Sequence, residues 1–164
     1  MKPYTKTLLV LVGTGFLFTT FWPMRYDLLT NLPSTPITQL TLDNGRYTEK
    51  GVPFNGRMAS VEGDTVTLTP MTDGLRDGMS LTTVKGQVVA MVPWVKGLKE
   101  GEAQLFDPTT GLLLELVDYR AGVVDGMKLI YRDDGSIARR ETWVNGVQEG
   151  LTTTFFSDGA VASE

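Results

Sequence analysis

The 164-residue chain contains no cysteine and no histidine. Without cysteine there is no disulfide framework, no thiolate nucleophile and no cysteine-ligated metal. Without histidine the commonest general base, the commonest metal ligand and the usual switch near neutral pH are missing. Catalysis would fall to carboxylates or lysine, and no motif organises them. There is no G-x-x-x-x-G-K-[ST], no G-x-G-x-x-G after a strand, no G-x-S-x-G and no H-E-x-x-H. The expectation is a non-catalytic protein that takes neither cofactor nor metal. The charge is divided, with acid in excess beyond the N-terminus. Lys2, Lys6 and Arg25 give residues 1–25 a charge of +3, and the whole chain is −4, so residues 26–164 carry −7. Such a body argues against nucleic acid, whose phosphates need a basic face. It suits a basic protein partner, or simply keeps the body soluble.

One long apolar run is present. From Thr7 to Met24, TLLVLVGTGFLFTTFWPM, there is no charged residue. As a helix these residues span about 27 Å, close to the roughly 30 Å hydrocarbon core of a bilayer. Trp22 and Tyr26 lie where an interfacial aromatic belt would be, and Lys2 and Lys6 flank the other end. The competing reading is a cleavable signal peptide, but FWPMRYDLLTNLP offers no A-x-A-like site. The prediction is an uncleaved transmembrane signal anchor over 7–24, with residues 1–6 in the cytoplasm and the body outside. Gly13 and Gly15 inside the run are a cue for close helix packing. Residues 25–45 read as a spacer and first hairpin. Pro33 and Pro36 stop a continuing helix, and Asn44-Gly45 supplies the two central residues of a tight turn.

Glycine, at 18 residues, is spaced rather than clustered. WVKGLKEG at 94–101 returns as YRAGVVDG at 119–126 and WVNGVQEG at 143–150. The Gly-x-x-acid-Gly element occurs four times, as Gly74/Gly78, Gly97/Gly101, Gly122/Gly126 and Gly146/Gly150, in steps of 23, 25 and 24 residues. A third glycine recurs at Gly86, Gly111, Gly135 and Gly159. Trp94, Tyr119 and Trp143 stand three residues before the first glycine of their elements, and the acid is Asp77, Glu100, Asp125 or Glu149. Such self-similarity dictates the architecture. The intervening runs, such as MSLTTV and QVVAMVPWVK, are rich in β-branched and aromatic residues and show no 3.6-residue period. The predicted fold is all-β: a single-layer meander of tandem β-hairpins, period about 24, over residues 46–164, preceded by one transmembrane helix.

Strict alternation along the second strand of each hairpin puts Val88, Val92 and Trp94 on one face, with Leu113, Val117 and Tyr119, and then Ile137, Glu141 and Trp143, in the following units. Ala90, Glu115 and Arg139 fall on the same face. The aromatic row is either core between stacked repeats or a ligand platform. The repeated acid would accept backbone N–H bonds in its turn. Four carboxylates spread one per repeat do not converge on a metal. Asp133-Asp134 before Gly135 reads as turn chemistry, and Arg139 and Arg140 beside Glu141 as a solvated strand face or a site for an acidic group.

The aromatic-x-x-Gly-x-x-acid-Gly spacing resembles the MORN repeat in its bacterial second variant, and GVPFNGR at 51–57 is similar to the opening of such an array. The resemblance covers residues 46–164. It implies a protein-binding scaffold of the toxin–antitoxin antitoxin or immunity type. Two lysines before the apolar span against one arginine just after it give the separate expectation of a single-pass protein of a bacterial inner membrane whose C-terminal domain is periplasmic. Met71 stands where an aromatic would be, which marks the unit 52–74 as a cap. The lipid-binding role of eukaryotic relatives does not carry over to an acidic body. The chain stops at Glu164 within a second strand, leaving an edge that is short and charged or covered by a partner. Two roles follow: an immunity-like protein whose partner is a toxin, or an accessory structural subunit of a larger membrane complex. In either, the contact surface is expected on one sheet face and the last hairpin, including Tyr131, Trp143, Phe155 and Phe156.

Overall fold

The computed structural model describes residues 33–164. The predicted terminus 1–6, the span 7–24 with Gly13 and Gly15, and the spacer up to residue 32 lie outside the described residues. Among the described residues no helix is long and apolar enough to cross a membrane.

After β1 (Thr35–Pro36) and a 3-10 turn at Ile37–Gln39, the chain is built from strands: β2 (Thr41–Asp43), β3 (Arg46–Glu49), β4 (Val52–Pro53), β5 (Gly56–Glu62), β6 (Thr65–Thr72), β7 (Leu75–Arg76), β8 (Gly78–Val84), β9 (Gln87–Val95), β10 (Leu98–Lys99), β11 (Gly101–Phe106), β12 (Leu113–Arg120), β13 (Val123–Tyr131), β14 (Ile137–Val144), β15 (Val147–Phe155) and β16 (Val161–Ser163). The fold is all-β, as expected. β2, β3 and β4 form a three-stranded sheet, and the rest form one 13-stranded meander in which each long strand pairs with its sequence neighbours. All pairings are antiparallel except β1 with β5, where Thr35 faces Met58.

Two-residue turns set the register. Asn44-Gly45, Lys50-Gly51, Asp73-Gly74, Lys85-Gly86, Lys96-Gly97, Ala121-Gly122 and Asn145-Gly146 all have positive φ at both residues. That is the type I′ requirement, which matches the right-handed twist of the strands it joins. The Asn44-Gly45 hairpin is formed as expected, with Asp43 opposite Arg46.

The second glycine of each element has another task. Met71 faces Arg76, yet Leu68 faces Leu81, so three residue steps along β6 match five along β7 and β8. The two extra residues fall at Asp77-Gly78. The same gain follows the next two turns: Trp94 faces Lys99 but Met91 faces Gln104, and Tyr119 faces Val124 but Val117 faces Lys128. The acid–glycine pair is thus a bulge, and Gly78, Gly101 and Gly126 allow it at φ +110, +97 and +133.

Gly150 departs from the equivalence the repeat spacing predicts for it. Its φ of +76 is also positive, and two residues are again gained, since Thr142 faces Glu149 but Arg140 faces Thr153. Here, however, the acid Glu149 is still paired, so the bulge begins one residue later, at Gly150 itself. The glycine lies within β15, as Gly126 lies within β13, but nothing stands within 4 Å of the site a Cβ would take. No aromatic faces it either, because β16 pairs with β15 only at Thr154 and Phe155. Gly150 keeps the backbone role of a second glycine and lacks its packing role.

The turns are bonded in file. Gly97 N–H donates to Arg76 O (2.7 Å), Gly122 N–H to Lys99 O (2.9 Å) and Gly146 N–H to Val124 O (2.8 Å). Each donor is a first glycine, and each acceptor lies two residues past the preceding first glycine. Leu75 lies against Gly97 and Leu98 against Gly122, at 3.5 and 3.4 Å from the site a Cβ would take. The file begins at the small sheet, where Gly74 N–H donates to Phe54 O (2.9 Å) and Gly74 O accepts from Tyr47 N–H (2.8 Å).

Burial is thin, because most of the sheet has no second layer. Among the described residues the one cluster of buried apolar residues is Phe54, Met58 and Met71, with Ile37, Leu40 and Tyr47 packed on it. It lies at the start of the array, where the small sheet and the 3-10 turn supply the missing cover. Met71 therefore packs in a cap, consistent with its departure from the aromatic pattern.

Candidate functional site

A sheet with two open faces offers two surfaces. Antiparallel cross-strand partners share a face, so the register assigns every strand residue to one of them. The first face carries Trp94, Tyr119 and Trp143, which stand opposite Gly78, Gly101 and Gly126. The alternation expected along the second strands does not hold throughout. Val88 faces Thr83 while Ala90 faces Thr82; Leu113 faces Phe106 while Glu115 faces Leu105; Ile137 faces Tyr131 while Arg139 faces Ile130. One extra residue after each mid-repeat turn inverts the side-chain alternation. Val88, Leu113 and Ile137 therefore lie on the second face, away from the aromatic row.

The aromatic row is neither bare platform nor core. Its rings are half-buried, and two are partnered by cations: Arg76 lies over the Trp94 ring at 4.6 Å, and Lys99 over Tyr119 at 4.5 Å. Lys99 Nζ also donates to the Tyr119 hydroxyl at 3.4 Å. Trp143 has a different neighbour. Its Nε1 donates to Glu141 Oε2 at 3.0 Å, and Glu141 is buried and also paired with Arg139 at 2.9 Å. Lys128 bridges to Glu115 at 3.1 Å on the same face. The cations were missed in the sequence, although Arg76 and Lys99 share one position, two residues past the first glycine.

Of the repeated acids, Glu100 Oε2 accepts the Ala121 N–H at 2.7 Å, a bond into the turn of the next repeat. Asp125 pairs with Arg120 at 3.6 Å. Asp134 accepts the Ser136 N–H at 2.8 Å, which is the turn chemistry expected, and the side-chain and backbone bonds from Ser136 hold its carboxyl below the usual range. Asp107 is lowered likewise, by the backbone N–H groups of Thr110 and Thr109.

The four residues expected at a contact surface do not form one patch. Trp143 is on the first face. Tyr131 and Phe155 lie on the second, where Arg140 sits 5.6 Å from the Phe155 ring centre and Tyr131 is opposite Ile137. Burial, then the charge of Glu102, raises the Tyr131 phenol above its ordinary pKa. Phe156 is exposed in the turn before β16, where its N–H donates to Ala160 O at 2.8 Å. Arg132 ties this region together, donating to Ile137 O at 2.8 Å and to Phe155 O.

The second face has a row the sequence reading missed. Residues just past the second glycine pair with those just before the aromatic: Met79 with Pro93, Glu102 with Asp118, Met127 with Thr142. In consecutive repeats this position is apolar (Met79, Pro93), doubly acidic (Glu102, Asp118), then methionine opposite threonine (Met127, Thr142). Among the described residues no group of His, Cys, Asp or Glu is arranged to hold a metal ion. Compared with protein-family models and with curated proteins, the chain matches none.

Proposed function

We propose that the chain is a non-catalytic, membrane-anchored protein-binding module, a single-layer meander of MORN-like hairpins with an immunity or antitoxin-like role. In this reading one transmembrane helix over 7–24 holds it in a bacterial inner membrane with the repeat domain in the periplasm. The observation that carries it is the openness of the sheet. Among the described residues no side chain is fully buried, while Met79, Leu98 and Met127 are about half exposed, at 45, 51 and 48 %. A chain that spends its apolar residues on an uncovered face gains little from them in folding, and such faces serve association.

The test is purification of the tagged protein from its native membrane in mild detergent, with mass spectrometry of what accompanies it. One substoichiometric soluble protein, captured when a toxin is expressed, supports the immunity-like role. Integral membrane proteins at constant ratio would make the chain an accessory structural subunit instead, and replacing Gly13 and Gly15 by Leu should then abolish their co-purification. The protein-binding reading fails if nothing accompanies it under either condition.

A further inference from the structure

Across the second face, Met79, Pro93, Glu102, Asp118, Met127 and Thr142 form a lateral row crossing six strands. Like charges directly opposite each other destabilise a sheet, yet Glu102 and Asp118 are direct partners. Neither has an ion-pair partner among the described residues: the nearest cation along the strand, Arg120, is paired with Asp125.

The Asp118 carboxylate is held in place. Its Oδ2 accepts the Met127 N–H at 2.9 Å, and it lies over Gly126, where a Cβ would come within 2.6 Å of Asp118 Cβ and Oδ2. Glu102 is exposed and held only by Gln104 Nε2 at 2.9 Å. Met127 lies on the strand next to Asp118, and on the other side Pro93 is followed by Met79, so exposed, adaptable thioether side chains stand at both sides of the pair, suited to a contact that repacks around its ligand.

We propose that this row is the docking site for the partner, and that the partner presents a cationic side chain between Glu102 and Asp118 with apolar side chains on either side. The inference rests on the protein-binding reading above and adds its place and chemistry. A guanidinium fits best, because its fork of N–H donors can bridge two carboxylates that already stand opposite each other. The net charge of −7 on residues 26–164 favours approach of the same kind of partner.

The probe is a labelled peptide of alternating valine and threonine with one central arginine, and its counterpart with glutamate there. Binding is read by fluorescence anisotropy to the full chain in neutral-lipid nanodiscs, with empty nanodiscs subtracted. The arginine peptide should bind at least tenfold tighter. The isosteric double variant E102Q/D118N should lose that preference, and E62Q/D64N, an equal charge change in the β5–β6 turn, should keep it. Equal binding of the two peptides, no binding, or equal loss in both variants overturns the proposal. If the wild type captures a cellular partner and E102Q/D118N captures it equally well, this site falls while the protein-binding reading stands. If the peptide preference holds and no partner is ever captured, the cation site stands and the broader reading falls.

Discussion

Gly74 and Gly86 have nearly the same backbone, at φ +76 and +80, and both occupy the second position of a two-residue turn. Alanine at either must accept a left-handed conformation, which costs roughly 1–2 kcal/mol. At Gly86 the cost ends there, since nothing lies within 4 Å of the new Cβ. At Gly74 the Cβ would sit 2.5 Å from Tyr47 O and 3.2 Å from Tyr47 N. Those atoms are backbone and cannot rotate away, so the small sheet must move off the first repeat. Moving it breaks the two bonds through which Gly74 meets Tyr47 and Phe54, each worth about 1 kcal/mol net, and disturbs the buried cluster of Phe54, Met58 and Met71. G74A should therefore cost about 3–5 kcal/mol and G86A about 1–2. Urea unfolding followed by circular dichroism and by tryptophan fluorescence would measure both. A G74A that unfolds within about 1 kcal/mol of G86A would refute the account of how the array is capped.

Ala121 adopts φ +48 in a turn where Asn145 does the same at +50, so A121N should stabilise by about 0.5–1 kcal/mol in urea titration, since asparagine tolerates this region. E141A removes the acceptor of the Trp143 indole and the partner of Arg139. It should destabilise by about 1–3 kcal/mol and change the tryptophan emission, whereas E141Q, which keeps an acceptor, should cost less. R132A frees the carbonyls of Ile137 and Phe155, and hydrogen exchange should accelerate in β15 and β16 while β8 and β9 are unaffected. Because the Asp107 carboxyl is lowered in the fold, its contribution is present above the unfolded-state value and is lost as pH falls through the folded value. Amide exchange at Thr109 and Thr110 should lose protection in that acid range in the wild type and show no such step in D107N.

The period and the hairpins were legible because tight turns demand glycine at fixed places, and glycine is easy to see. What Gly-x-x-acid-Gly does was less legible. The first glycine reads correctly as a turn, but nothing local says that Gly78, Gly101 and Gly126 permit a bulge of two residues. Nor does the spacing of Gly146 and Gly150 reveal that the last bulge starts one residue later, because the ladder to β14, not the motif, decides whether Glu149 is paired. The bulge of one residue near Val88, Leu113 and Ile137 was also invisible, because an inserted residue looks like any other until the partner strand is known. That single step moved three residues to the other face. The pairs Arg76 with Trp94 and Lys99 with Tyr119 join successive repeats, so no scan within one repeat would find them. Glu102 and Asp118 are 16 positions apart in the chain and become neighbours only through the register.

The file of turn bonds has a mechanical consequence. Gly97, Gly122 and Gly146 each reach only one unit back, and the strands lie side by side in chain order. A pull on the two ends of this sheet passes through its ladders in series, so each bears the whole load and none shares it with another. The array should open like a zipper, in steps of one repeat. Each step would release about 80 Å of chain for some 24 residues. A protein tethered at one end and gripped at the other would then yield by lengthening, at a force set by its weakest pair of neighbouring units.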